Sequence, residues 1–512
     1  MGWWVLLAIV ALVIVGVVVL AAYDLLQRSH SILRNFPVIG HLRFLLEAIG
    51  PELRQYIVTD NDEERPFSRD QRRWVYSSAK GENTYFGFGT DNDLEHSRNY
   101  TIVKQATFPV AGPPDEPMHP DPSRPLPCAK VLGGAAGRAK AFRPASVVNV
   151  SGMSYGSLSG PAIEALNRGC AQAGALQTTG EGGISPFHLN GGDLVWQIGT
   201  GYFGCREADG TFSLDRLVAG AEAAPVRAIE IKLSQGAKPG LGGMLPGAKV
   251  TPEIAAIRGI PVGVDCKSPA AHTAFHDVDG LLEFIETIAD ATGLPVGIKS
   301  AVGEGTFWTE LTDRMATSGT GPDFVNIDGG EGGTGAAPLS FADHVALPFR
   351  WGFTRVYRAF AERDLTDRTV FVGAGRLGLP ETALAAMALG CDMVNVGRTA
   401  MFAVGCIQAQ RCHTDRCPTG VATQNRWLQR GLVPELKSVR CAYYLASVRF
   451  ELLRLSRACG LVHPALVTAD HLEVLEDRWK AVTLREVVEY QDGWGRPSEQ
   501  DQKELIRLMT GA

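Results

Sequence analysis

Three cysteines stand in the segment GCIQAQRCHTDRCPTGVATQ (405–424): Cys406, Cys412 and Cys417, spaced C-x5-C-x4-C, the last followed by Pro418. An odd number of thiols suits neither a set of disulfides nor a four-cysteine zinc site. Soft thiolates select iron–sulfur clusters or zinc, and a cysteine followed by proline recurs in iron–sulfur ligand runs. Three thiolates can hold such a cluster, and with His413 they can hold zinc. Unligated thiols are the plain alternative.

A second set of candidates combines glycine with positive charge. GAGRLG (373–378) contains Gly375, and VGR (396–398) contains Gly397 and Arg398. The first fits GxGxxG, but a dinucleotide site also needs an acid at the end of the next strand to hold the ribose, and here that position is Arg398. Two glycine backbones and an arginine suit a single phosphate, with tight turns as the bland reading. Further candidates are Met153, Ser154 and Gly156 in SGMSYGSLSG, Glu181 in TTGEGG, Lys232, Gln235 and Lys238 in EIKLSQGAKPG, Lys299, and Gly329, Gly330, Gly333 and Thr334 in DGGEGGTGAAP. A lone lysine in a strand is ordinarily structural. Several cations converging with glycine-rich loops meet the needs of flavin mononucleotide (FMN): a phosphate cradle, a donor to N5, and a positive group near N1 and C2=O. Lys232 and Lys299 are candidates for the last role.

The elements that must position these residues are short β-branched runs alternating with helical stretches. The runs are 145–150, 175–181, 227–233, 261–266, 295–301, 323–329, 369–375 and 392–398. Eight such runs predict a (β/α)8 TIM barrel, whose active site lies at the C-terminal ends of its strands. A doubly wound sheet is the runner-up. The expected organisation is an anchor at 1–23, an N-terminal extension at 24–140, a barrel at 141–430 with the cysteine segment inside it, and a helical region at 431–512. The extension carries eight prolines within 109–127, read as a linker or strap. Arg69, Arg72 and Arg73 read as a solvated face in preference to a phosphate or lipid contact. LEVLEDRWKAVTLREVVEY near the C-terminus reads as amphipathic helix.

Residues 3–22 are apolar without a charge, and Arg28, Arg34 and Arg43 follow. That pattern predicts one transmembrane helix, flanked by Trp3, Trp4 and Tyr23, with the body of the chain on the cytoplasmic side of the inner membrane. A net charge of −6 without a basic run argues against nucleic acid as a partner.

The blocks MSYGS (153–157), TGEGG (179–183), EIKLSQGAKPGLGGMLPGAKV (230–250), SPAAH (268–272), GGTGAAP (332–338) and the cysteine segment resemble, in order over about residues 145–430, the flavin and iron–sulfur synthase domain of glutamate synthase. The resemblance implies an eight-stranded barrel holding FMN, and a 3Fe-4S cluster on Cys406, Cys412 and Cys417. It also implies reductive condensation of 2-oxoglutarate with ammonia. Lys238 and Arg258 fall on the family's substrate-binding positions and Glu181 on the acid beside the reacting carbon; Lys299, from its strand end, joins them as a catalytic candidate. The sequence departs from the family where a substrate-contacting glutamine is Met244, and where a loop aspartate and the histidine before it are Glu331 and Gly330. No glutaminase, NAD(P)H or FAD region is read, so ammonia or an amine is expected from solution or a partner. Electrons are expected from an external donor, a ferredoxin or a reductase subunit. Use of an alkylamine, a tethered electron-transfer module and a redox-inactive zinc barrel are the alternatives.

Overall fold

The computed structural model describes residues 2–27, 29–112 and 119–511, in two compact units, Met1–Arg72 and Arg73–Ala512. Arg28 and residues 113–118 of the proline-rich strap lie outside the described residues.

In the first unit, α1 (Gly2–Leu26) is long and apolar enough to cross a bilayer, with a mean hydropathy of 3.4. It is followed by α2 (Ser31–Asn35) and α3 (Gly40–Leu53), which runs on into a π turn at Arg54–Val58. Arg72 is not on a solvated face: it is buried and paired with Glu64.

In the second unit, eight parallel strands close a barrel in sequence order. They are β1 (Val148–Val150), β2 (Gln177–Thr178), β3 (Leu194–Ile198), β4 (Val226–Lys232), β5 (Val296–Ser300), β6 (Phe324–Asp328), β7 (Val370–Ala374) and β8 (Met393–Val396), with β8 returning to β1. They are short and almost wholly buried, as strands covered by helices outside and packed side chains inside must be. Strand starts contribute Leu176, Phe324, Val370 and Met393 to an apolar cluster that includes Cys128 and Leu132. Leu132 pairs with Phe142 across a tight reversal, so the segment before β1 seals the N-terminal mouth. The C-terminal mouth is left for chemistry.

Two elements differ from the sequence reading. The run 261–266 is not a barrel strand; residues 261–265 are exposed, and Cys266–Lys267 forms a separate two-stranded sheet with Met244–Leu245. Pro261 and Gly263 (φ +71°) keep PVGVD in a loop despite its valines, because strand preference follows burial. The missing strand is β3, LVWQI, every residue of which is buried. The second difference is near the C-terminus. LEVLEDRWKAVT forms a hairpin, Leu472–Asp477 with Lys480–Thr483, and Tyr100–Val103 completes its antiparallel sheet. The alternation of Leu472, Val474 and Glu473, Leu475 against the two-residue period of a strand outweighed the charge pattern of a helix.

Two buried histidines set an acid limit on stability. Burial lowers the pKa of His188 to about 4 and that of His463 to about 3, from 6.5. Both are neutral in the fold and gain a proton on unfolding. Stability is therefore full above pH 6.5 and falls as pH drops towards 4, by about 3 kcal/mol for His188. Calorimetric Tm should decline steeply across pH 6.5 to 4, and less steeply in His188→Gln.

Candidate active site

The floor of the C-terminal mouth is a doubly hydrogen-bonded carboxyl group. Glu230 on β4 receives Gln197 Nε2 from β3 at 2.5 Å and Asn326 Nδ2 from β6 at 2.7 Å. Two residues further on, Lys232 points into the same interior. The register sets Lys232 opposite Lys299 of β5, and Lys299 opposite Asn326. Lys299 Nζ lies 3.4 Å from Asp328 Oδ2, and that oxygen also accepts the Gly236 N–H at 3.1 Å. Burial disfavours charge on Lys299, but Asp328, Glu230 and Glu181 outweigh it and raise its pKa. Gly236 is required here, because a Cβ would stand 1.9 Å from Gly329 O.

Above this floor, one carboxylate is ringed by cations. Glu181, in the loop after β2, lies 3.1 Å from Lys232 Nζ. Burial opposes its charge, yet Lys232, Lys238 and Arg258 together hold its pKa below the usual carboxylate range. Lys238 is shifted down by burial and by Lys232 and Arg258, against the pull of Glu181. Arg258 ends the helix Pro252–Arg258 and is buried. Its Nη2 donates to Ser154 Oγ at 3.3 Å and Tyr155 O at 3.1 Å, and its guanidinium lies 5.2 Å over the Phe203 ring. Gly156 (φ +104°) gives Arg258 room, since a Cβ there would come 3.3 Å from Nη2. Gln235 accepts from Lys232 Nζ at 3.0 Å and donates to Gly333 O at 2.8 Å, joining the β4 and β6 loops.

The third group is the β6–β8 rim. Gly329 N–H donates to Ala374 O at 2.8 Å and Gly330 N–H to Leu347 O at 2.9 Å. Gly375 at φ +124° brings the β7 turn against Gly329. Arg398 Nη2 donates to Glu331 O, and the Arg398 side chain covers Gly333. Burial, with nearby Arg376, lowers the Arg398 pKa to about 10. Thr334 Oγ1 turns to Ala336 O at 3.4 Å within its own loop. A Cβ on Gly397 would meet nothing nearer than Ser151 Cβ at 3.7 Å and Met153 Sδ at 4.0 Å, so the backbone is open there. Two buried polar atoms of the mouth, Asn326 Oδ1 and Arg258 Nε, have no hydrogen-bond partner. Orphaned atoms, an open glycine and a cationic donor set fit a planar, polar, phosphorylated group such as FMN.

The cysteine segment is tied to this mouth. Gln424 Nε2 donates to Gly156 O at 3.2 Å and to Leu158 O at 2.9 Å. The buried Lys249 ammonium donates to Ser157 O at 2.6 Å, and to Cys412 O and Ala422 O at 3.3 Å each. Tyr76 OH donates to Cys406 O at 2.8 Å. Burial, then the neighbouring Cys417, raises the Cys412 pKa. Three thiols on one loop have the donor chemistry of an iron–sulfur cluster. Among the described residues, no three His, Cys, Asp or Glu side chains are drawn together as a finished metal site.

The structure thus brings Glu181, Lys232, Lys238, Arg258, Ser154, Gly156 and Gln235 together, with Lys299 beside them. Sequence reasoning missed Gln197, because it missed β3, and Asp328, although Asp328 opens the DGGEGG block. Lys249 lay unremarked in PGAKV. Met244 is 42% exposed at the rim, next to Gly243, whose added Cβ would stand 2.7 Å from Glu181 Oε1. A cavity of about 150 Å³ is lined by Phe203, Arg206, Cys266 and Lys267, and Phe203 and Cys266 also touch Arg258.

Residues 135–462 match the conserved region in glutamate synthase. The chain is 38% identical over 499 residues to the glutamate synthase large subunit-like protein YerD of Bacillus subtilis, covering 91% of this chain and 94% of that one. It is 34% identical over 342 residues to the archaeal glutamate synthase [NADPH] of Methanocaldococcus jannaschii, covering 66% of this chain and 63% of that one. It is 33% identical over 293 residues to the ferredoxin-dependent glutamate synthase of Pyropia yezoensis, covering 54% of this chain and 19% of that one.

Proposed function

We propose, for a chain that belongs to the glutamate synthase family and is an oxidoreductase, reduction of the imine of 2-oxoglutarate and ammonia to L-glutamate in the barrel mouth. Its resident groups in this reading are FMN and a 3Fe-4S cluster. The observation that carries it is the ring of Lys232, Lys238 and Arg258 around Glu181, since a dianionic substrate needs more than one cation beside its reacting carbon.

The FMN phosphate falls to Gly375, Gly397 and Arg398. Lys232, Gln235 and Lys299, with Met153, Ser154 and Gly156 and the Gly329, Gly330, Gly333 and Thr334 loop, surround the ring system. Reduced flavin, when bound, supplies a hydride, and the cluster on Cys406, Cys412 and Cys417 supplies single electrons. Lys299 stays charged, so positive charge is fixed beside the orphaned Asn326 Oδ1. Lys238 and Arg258 bind the two substrate carboxylates. Glu181 is ionised at neutral pH and takes a proton from the adding nitrogen; it then returns one as water leaves. Asp328 keeps Lys299 and the Gly236 backbone in register while this occurs.

Met244 favours a second reading. An exposed thioether next to Gly243 suits an alkylamine better than ammonia, which would give an N-alkylglutamate. The electron donor in either reading is a ferredoxin or a reductase subunit, for which the two relatives named for NADPH and ferredoxin are support. Helix α1 anchors the protein in the inner membrane with the barrel in the cytoplasm, on the strength of its apolar length and of Arg34 and Arg43 after it.

The purified full chain in detergent should be coloured, with flavin bands over a broad cluster absorbance and three irons per chain. Colourless protein carrying stoichiometric zinc would overturn the cofactor assignment.

A further inference from the structure

The stretch after α1 carries an apolar stripe that the rest of its own compact unit, Met1–Arg72, does not cover. Ile39, Leu42, Leu46, Ile49, Leu53 and Ile57 recur at steps of three and four along α3 and the π turn, on one face of the helix. Their exposures run from 38% at Leu53 to 75% at Ile39. Leu45 and Tyr56 flank the stripe and are exposed too. Arg43 and Glu47, each one position past a stripe residue, pair at 2.8 Å along its border, and both are exposed. A helix this apolar on one face ordinarily turns that face to a core.

The connection to α1 is fixed. Asp24, near the end of α1, is fully buried; its carboxylate accepts the Val38 N–H at 2.9 Å and is hydrogen-bonded to His41 Nε2 at 3.0 Å. Gly40 lets α3 start against α2, for a Cβ would come 3.1 Å from Leu33 Cδ2. The first residues of α3 are therefore held at the end of a helix whose own apolar side chains are also exposed. Asp24 thus ties the start of the α3 stripe to the end of the exposed apolar α1, and a bilayer that takes α1 is the occupant this link favours for α3.

We propose that α3 and its π turn are a membrane-surface helix. The Ile39–Ile57 stripe enters the acyl–headgroup boundary of the leaflet where α1 ends, while Arg43 and Arg54 remain among the headgroups. The proposal rests on the anchor reading of α1. In it, α1 supplies attachment and α3 lies along the lipid surface. Pro51 interrupts the amide ladder within α3, and Thr59 closes the π turn by donating its N–H at 3.0 Å and its hydroxyl at 2.7 Å to Arg54 O.

The test places the photoreactive residue p-benzoylphenylalanine singly at Val13, Leu46 or Glu47 of the full chain, reconstituted in phosphatidylcholine–phosphatidylglycerol vesicles (3:1). Lipid adducts are counted by mass spectrometry. Lipid adducts at Val13 and Leu46, with Leu46 exceeding Glu47 by about tenfold or more, are expected. Adducts at Val13 but none at Leu46 would overturn the surface helix and leave the anchor standing. Protein adducts at Leu46, to this chain or to a second copy, would do the same. No lipid adduct at Val13 would remove the anchor reading and the proposal with it.

Discussion

Glu181→Gln is expected to lower kcat by roughly 10²- to 10⁴-fold, the range for losing a positioned proton carrier, with flavin content unchanged. Glutamine fills the same volume and still accepts from Lys232, so the loop after β2 keeps its place. It cannot take a proton from the adding nitrogen. It also leaves Lys232, Lys238 and Arg258 without the anion that balances them. Substrate binding should hold or tighten, because two carboxylates then meet uncompensated cations, so the loss appears in kcat and not in KM. In the parent protein, the acid limb of the rate profile should lie below the usual carboxylate range, since the Glu181 pKa is depressed. Activity is full above that limb and lost as pH falls through it. Steady-state rates with 2-oxoglutarate, ammonia and a reduced viologen as donor check both statements. An unchanged kcat in Glu181→Gln would assign proton transfer elsewhere.

Cys412→Ala is expected to remove the cluster outright, dropping iron from three per chain to near zero while flavin stays. A three-thiolate set has no spare ligand, and Cys412 reaches the barrel through its backbone carbonyl on Lys249. The backbone contact survives the substitution, so the barrel and its flavin should be spared. Iron analysis beside flavin absorbance on the same sample gives the result. Retention of full iron would show that Cys406 and Cys417 recruit another ligand, with His413 the nearest in sequence.

Much of this site could be read from the chain because its residues sit in local blocks. TGEGG and DGGEGG place a charged side chain next to glycines that free the backbone, GAKPG has a glycine two positions to either side of Lys238, and β4 to β8 were plain from β-branched runs of ordinary length. What could not be read was the outcome of competition between segments. PVGVDC and LVWQI are both plausible strands, and burial chose the second. Only contact between distant segments reveals that Gln197 faces Glu230, or that Asp328 balances Lys299. The C-terminal hairpin went unread because only its burial alternates at a strand's period, with Leu472 and Val474 buried and Glu473 and Leu475 half-buried. In the N-terminal unit, the apolar character of residues 3–22 was evident, whereas the pinning of Val38 and His41 by Asp24 needed the fold.

The most direct test of the central claim is a single turnover without any donor. The full chain is reduced chemically under anaerobic conditions, freed of excess reductant, and mixed with 2-oxoglutarate and ammonia, while flavin absorbance is followed and glutamate is counted. Return of the oxidised flavin bands with about one L-glutamate per flavin is the predicted result. Flavin that stays reduced with 2-oxoglutarate and ammonia, and with every other 2-oxo acid and alkylamine tried, would contradict it and leave an electron-transfer module in its place.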